Sequence, residues 1–371
     1  MEDVDYLVRK IEERRGRYTV SKSGEIIQRK MLRSLLVNDV LDKPHIFRIE
    51  LINTLNCNAK CAHCSNYKLG EDEKVMTKET VLKILEGAKK HQTPSINFLG
   101  GEALIDKNIF EYLSLFIEAD IGVTLQSNAI RLNRDILIRL KEMGVSGVGT
   151  TVYDTIPENH DKVLRVPGTF KKIIDAIDIC KEIGLPFNIQ TIYSRDAVES
   201  GAIKRIMDFC KEKGKSLKLN IIMPVGRSAN EKIMLSEDEL DEFKKMVLSD
   251  NCLSTHCMFN KHKEVCPMGR TFVGITPKGD MMPCYFMPFI FGNIHETAFD
   301  EYLEYAQSFP IFRKEILPKG YCIVAESKKF FREILDPLYS GDYKLPIDLR
   351  KNKEFEKKLR NFKIEDNAYE A

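Results

Sequence analysis

Leu51-Ile-Asn-Thr-Leu-Asn-Cys57-Asn-Ala-Lys-Cys61-Ala-His-Cys64 is the stretch on which the reading of this chain turns. It overlaps an apolar run, Ile46 to Leu51, that predicts a buried strand, so its three thiols fall in a loop at a strand's carboxyl end. Iron–sulfur clusters are held by Cys thiolates, and a [4Fe–4S] cube takes four of them. Three local thiols leave one iron open to a small molecule, whereas four make a cluster suited to structure or electron relay. A zinc site would show two CxxC pairs or a Cys/His mixture, and His63 could join one only by crowding between Cys61 and Cys64. A disulfide framework is equally poorly matched, because 371 residues bury an ample core without staples.

Composition bounds the rest. With 57 basic and 55 acidic residues the net charge is +2, so no global polycation calls for nucleic acid, and none is expected as a partner. No apolar run reaches the length of a membrane span. The opening Met1-Glu-Asp-Val-Asp is acidic and polar, unlike a secretory or transit signal, which makes the cytoplasm the expected location. The ten cysteines are then free thiols or metal ligands.

Outward from the cysteine loop, strand-like and amphipathic runs alternate. Strands are predicted near 46–52, 95–99, 121–126, 145–152, 187–193 and 217–222, with helices near 77–90, 107–118, 133–142, 169–183 and 199–213. Six strand–helix units in succession make a parallel sheet, since each parallel connection needs a crossover helix. Active groups in such α/β folds gather at the carboxyl ends of the strands. Residues 1–45 show a helical apolar pattern around Ile27, Met31, Leu32, Leu35 and Leu36 and are read as a helical extension.

The CxxxCxxC spacing of Cys57, Cys61 and Cys64 resembles that of the radical S-adenosylmethionine (SAM) enzymes. The resemblance implies a partial (β/α)6 TIM-like barrel over residues 46–235, with an open iron that chelates SAM and a 5′-deoxyadenosyl radical released on one-electron reduction. Gly100-Gly101-Glu102, after the second strand, is similar to the family's GGEP motif for the SAM amino group, with Ala103 in place of Pro. Ser127 and Asn128 stand where relatives approach the ribose and methionine ends of SAM. Thr150-Thr151-Val152-Tyr153-Asp154 followed by His160-Asp161, Arg165 and Gly168-Thr-Phe170 is similar to the family's SLDG, HDxxR and GxF run. Thr151 and Arg165 are thereby expected at the SAM carboxylate or ribose, while His160 and Asp161 are read as packing and capping groups. Gln190 is placed near the mouth, and Pro224, in Met223-Pro-Val-Gly-Arg227, where relatives lay the adenine against backbone. His63 takes the position of an aromatic side chain that stacks on the adenine, from which it departs.

Past a helix near 236–248 the alternation stops and cysteines return at 252, 257, 266, 284 and 322. Phe272 to Thr276, a turn at Pro277-Lys-Gly279 and a return from Met281 predict a β-hairpin flanked by Cys266 and Cys284. Cys266 to Cys284 resembles the C-x(9–15)-G-x4-C signature of the SPASM/Twitch extension, which makes residues 236–325 an auxiliary iron–sulfur domain. Only Cys322 follows, so one auxiliary [4Fe–4S] cluster is expected, on Cys257, Cys266, Cys284 and Cys322, with Cys252 as substitute for Cys257. Residues 326–371 carry Phe330, Phe331, Ile334 and Leu335 at helical spacing and are read as a docked helix with a mobile end.

The resemblance implies an oxidoreductase that takes an electron from a flavodoxin- or ferredoxin-type donor and abstracts hydrogen from an unactivated C–H bond. The hairpin domain is expected to close the barrel's open mouth and accept an electron, giving a net oxidation of a small carbohydrate-like metabolite or a peptide. A redox-neutral epimerisation or rearrangement, with Cys252 as hydrogen donor, is the alternative within chemistry. A non-catalytic iron–sulfur protein is the alternative outside it, disfavoured by the SAM-approach motifs that a mere cluster holder would not need.

Overall fold

The structure, a computed structural model, describes residues 24–69, 75–250, 252–255 and 265–364. Six strands run in parallel, each next to its neighbour in sequence: β1 (Arg48–Thr54), β2 (Ser95–Gly100), β3 (Gly122–Gln126), β4 (Gly147–Thr151), β5 (Phe187–Tyr193) and β6 (Leu217–Ile221). Helices α2 (Lys78–Lys90), α3 (Ile109–Glu118), α4 (Arg134–Met143), α5 (Pro157–Leu164), α6 (Thr169–Ile183), α7 (Arg195–Glu199) and α8 (Ala202–Glu212) make the crossovers, after α1 (Gly24–Leu35). Together these form the partial TIM-like α/β barrel that the alternation predicts.

Period two divides each strand between two environments. Ile49, Leu51, Ile96, Phe98, Val123, Leu125, Val148, Ile189 and Leu219 are buried against the helices. Glu50, Asn97, Thr124, Gln126, Gln190 and Asn220 alternate with them and meet one another across the opposite face. Arg48 Nε donates to Glu50 Oε1 at 2.6 Å, Asn97 Nδ2 to Glu50 Oε2, and Thr124 Oγ1 to Asn97 Oδ1 at 2.8 Å. Gln190 Nε2 donates to Thr151 Oγ1 at 3.1 Å, and Asn220 Nδ2 to Gln190 Oε1 at 3.3 Å. The barrel interior is therefore polar, built from amides, a hydroxyl row and one Arg–Glu pair.

Three departures from the sequence reading concern the sheet's edges. After α9 (Glu237–Ser249) a seventh parallel strand, β7 (Leu253–Thr255), pairs with β6, too short for its own periodicity to show. The hairpin forms as β8 (Phe272–Ile275) and β9 (Asp280–Met282), and it joins the barrel's own sheet. β8 lies parallel to β1 from Arg48↔Phe272 to Leu51↔Ile275, because an incomplete barrel leaves the β1 edge open to pairing. The C-terminal segment is more than one docked helix: β12 (Ile347–Asp348) pairs with β10 (Phe289–Ile290), while β11 (Gly292–Asn293) pairs with β9. Phe330, Phe331, Ile334 and Leu335 are buried as expected. In α1, Ile27, Met31 and Leu35 are buried, whereas Leu32, and Leu36 just past the helix end, are exposed. Among the described residues, no helix is long and apolar enough to cross a membrane.

The loop after β4 is fixed to α8 by Arg205, whose Nε and Nη2 grip the buried Asp154 carboxylate at 2.9 and 2.7 Å. Burial would raise this carboxyl, but the bonds from Arg205, Asn159 and the Ile156 N–H outweigh it and bring its pKa to about 2. A carboxyl depressed on folding contributes stability above its unfolded pKa of about 3.9, and loses it as pH falls toward the folded value. Asp154→Asn is expected to cost about 2 kcal/mol at pH 7, and urea unfolding should show the gap to the parent narrowing only below about pH 4.

Candidate active site

The cysteine loop is held in place from four sides. Its Lys60 and Ala62 N–H groups donate to the Leu164 and Val163 carbonyls, two of the orphan acceptors at the end of α5. The Arg227 N–H donates to the Cys64 carbonyl, and Arg227 Nη1 to the Lys60 and Cys61 carbonyls at 3.1 and 3.2 Å. Asn66 Nδ2 donates to the Gly100 carbonyl at 2.7 Å, and Asn128 Nδ2 to Asn58 Oδ1 at 2.8 Å. Two glycine positions permit this packing. A Cβ on Gly101 would stand 2.3 Å from the Asn56 carbonyl oxygen, and one on Gly226, at φ +63°, 2.2 Å from that of Cys64. The close approach allowed by Gly100 and Gly101 is thus to the neighbouring loop's backbone.

Within the loop, Cys57 is exposed while Cys61 and Cys64 are half-buried. The three are near enough to repel as thiolates: burial, then the charges of Cys64 and Cys57, push the Cys61 thiol up to about 11. Cys57 Sγ accepts from the Ala59 N–H at 3.4 Å. Beside it lies Glu102, 1% exposed, which accepts from Ser127 Oγ at 2.9 Å, the Asn128 N–H at 2.7 Å and the Leu104 N–H at 3.2 Å. Burial raises the Glu102 pKa against these three bonds. Cys57, Glu102, Ser127 and Asn128 are therefore one neighbourhood.

Thr151 and Gln190 meet each other through their hydrogen bond, and Thr151 also bonds the phenol of Tyr153. The His63 ring meets the Tyr153 ring edge-on, centroids 4.8 Å apart, and burial brings the imidazole pKa down to about 4. Tyr153, beside all three thiols, is a residue the sequence reading passed over. Pro224 is buried in the turn after β6. Arg165 is exposed at the left-handed end of α5, φ +61°, and lines a groove outside the cysteine loop. His160 Nδ1 accepts from the Tyr153 N–H, and Asp161 caps the start of α6 through the Gly168 and Phe170 N–H groups.

A second set of thiols gathers around the hairpin. Burial and the Cys266 charge push Cys284 up to about 12, and Cys322 is raised by burial, then by Cys266, Glu326 and Cys284. Cys284 Sγ accepts from the Phe286 N–H and Cys322 Sγ from the Ala325 N–H, each at 3.4 Å. Glu326 Oε1 accepts from the Cys322 N–H at 2.7 Å, a contact with no sequence signal. The Cys284 thiol also feels Glu50 of the barrel interior. Cys257 lies outside the described residues. Cys252 is exposed, and its carbonyl accepts from the Leu217 N–H at the start of β6, the end of the sheet opposite the SAM-approach loops. Cys180 and Cys210 are core thiols.

A profile described as the radical SAM superfamily matches residues 51–195, and one described as SPASM, an iron–sulfur cluster-binding domain, matches residues 266–322. The chain belongs to the SPASM-containing branch of the radical SAM superfamily. Among its radical SAM relatives is the AdoMet-dependent heme synthase of Methanosarcina barkeri (strain Fusaro / DSM 804), 25% identical over 81% of this chain and 94% of that protein. The PqqA peptide cyclase of Granulibacter bethesdensis (strain ATCC BAA-1260 / CGDNIH1) is 21% identical over 62% and 66%. Two solved radical SAM structures share the fold. They are anSMEcpe with bound AdoMet (TM-score 0.59, 17% identity, 85% of this chain and 96% of that one) and Streptococcus suis SuiB with precursor peptide SuiA (0.58, 17%, 74% and 68%).

The two matched domains imply a SAM-binding and an auxiliary [4Fe–4S] cluster as cofactors. Both thiol sets have the chemistry a radical SAM–SPASM chain needs for them. A cube spreads its thiolates over separate irons, so mutual proximity is required, not convergence on one point. Among the described residues no three His, Cys, Asp or Glu groups converge to hold a single ion. In each set the thiols do crowd electrostatically, and Cys57, Cys284 and Cys322 accept backbone N–H bonds that favour thiolate.

Proposed function

We propose that Cys57, Cys61 and Cys64 hold the cluster that binds SAM, and that Cys266, Cys284 and Cys322 hold the auxiliary one. We further propose that Glu102, Ser127, Asn128, Thr151, Arg165, Gln190 and the backbone around Pro224 receive SAM. When bound and given one electron, cluster and SAM supply a 5′-deoxyadenosyl radical able to take hydrogen from an unactivated C–H bond. The reading is a net two-electron oxidation of a polar substrate held in the barrel. One electron leaves with the abstracted hydrogen atom, and the observation that carries the rest is the pairing of Glu50 with Gly274, whose Cβ would stand 3.5 Å from the backbone N of Tyr285, the residue after Cys284. It supports an auxiliary set next to the β1 edge of the barrel, where an acceptor for the second electron belongs.

The substrate class follows from the lining. Glu50, Asn97, Thr124, Gln126, Gln190 and Asn220 offer a carboxylate, amides and a hydroxyl, and Asn220 Oδ1 is buried without a partner. An unsatisfied buried acceptor costs about 1–3 kcal/mol, which a ligand's O–H or N–H would relieve. A carbohydrate-like metabolite or a peptide brings such donors, and relatives named as a peptide cyclase and a GTP 3′,8-cyclase act on polar molecules. The position of Cys252, at the far end of the sheet, takes support from an epimerisation that would use it as hydrogen donor.

Anaerobically reconstituted protein given SAM and dithionite is expected to form 5′-deoxyadenosine and methionine in equal amounts, read by chromatography. Protein with verified clusters that forms none would overturn the reading.

A further inference from the structure

The cysteine loop borders a groove of about 570 Å³ that shares Arg165, but not Glu102, Ser127, Asn128, Thr151 or Gln190, with the side chains proposed to receive SAM. Among the described residues, four of its lining side chains are cations, Lys60, Lys68, Arg165 and Arg227, against one anion, Asp336. Its rim is aromatic as well as basic: the Arg227 guanidinium lies 4.9 Å from the centre of the Tyr67 ring, which is 44% exposed. Arg and Tyr are the side chains most enriched where protein interfaces concentrate their binding energy. Through its bonds to the Lys60 and Cys61 carbonyls, Arg227 ties this surface directly to the backbone that carries the thiols.

We infer that this groove is the docking site of an acidic one-electron donor protein, a proposal that rests on the radical SAM reading above. The charge balance selects an anionic partner. Lys60 and Ala62, the neighbours of Cys61, line the groove, which brings such a partner to the loop that carries the thiols. Each docking event transfers one electron: the donor is oxidised by one unit, and that electron is consumed in dividing the S–C5′ bond of SAM. Asp336, on the short helix Asp336–Ser340, is the acidic group among the described lining residues that opposes the partner.

The test compares a flavodoxin with dithionite as reductant, on cluster-loaded protein. Lys68→Glu is expected to weaken flavodoxin binding at least threefold at low ionic strength, by titration calorimetry. It should slow flavodoxin-driven 5′-deoxyadenosine formation by a similar factor while leaving the dithionite-driven rate within twofold. Asp336→Asn should move binding the opposite way, tightening it two- to fivefold, which a merely structural effect would not do. Variants that bind flavodoxin as the parent does, or that lose the dithionite-driven rate equally, overturn the docking site and leave the proposed function intact. A parent inactive with both reductants overturns the proposed function and the docking site with it.

Discussion

Replacing Cys57, Cys61 and Cys64 together by Ala abolishes 5′-deoxyadenosine formation and leaves about four irons per chain, the content of one cube. The two halves of this expected result come from different parts of the fold. The three thiols sit on a loop fixed by backbone bonds from Lys60, Ala62 and Cys64 and by Asn58 and Asn66, none of which uses sulfur. Truncating the thiols therefore removes donors without removing the scaffold. Cys266, Cys284 and Cys322 gather around the hairpin, and the cluster proposed for them is expected to stay. Iron analysis and chromatography on the reconstituted variant check both halves. A variant devoid of iron would contradict the auxiliary assignment, and one that still cleaves SAM would contradict the assignment of the loop.

Gly226→Ala is expected to be nearly as damaging, although Gly226 is no ligand. Two penalties coincide there. A left-handed φ of +63° costs a side-chain residue about 1–2 kcal/mol. The new methyl group would lie 2.2 Å from the Cys64 carbonyl oxygen and 2.8 Å from Ser65 Cα, both backbone, so overpacking adds about 1–3 kcal/mol. Relief requires moving Cys64, so cluster incorporation should fall together with the thermal midpoint. Gly214→Ala is the control: its φ is +62° but a Cβ would meet nothing within 4 Å, so only the conformational cost applies. Iron content of the two variants separates displacement of the loop from simple strain.

Local signals in the sequence reached a definite limit. The six strands and their crossovers were legible because each carries its own apolar period, and the cysteine spacing and Gly100-Gly101-Glu102 are contiguous. Glu102, Ser127 and Asn128 could be grouped because all three follow strand ends on one side of a parallel sheet. The pairing of β8 with β1 joins Arg48 to Phe272, and nothing in either segment names the other. The Glu50–Asn97–Thr124 row was missed for the same reason, although an acid inside the apolar run Ile46 to Leu51 was the available clue. Tyr153 reads as an ordinary β-former until the fold sets it against His63 and the thiols.

The parallel pairing of β8 with β1 also bears on biosynthesis. A ribosome releases the strand that leads into the cysteine loop more than two hundred residues before its last neighbour, at Phe272–Ile275. Until then one flank of the nascent sheet keeps its amide row unpaired, the kind of edge that recruits stray chains. A chain terminated before Cys266 should accumulate in inclusion bodies even though every crossover helix through α9 is present.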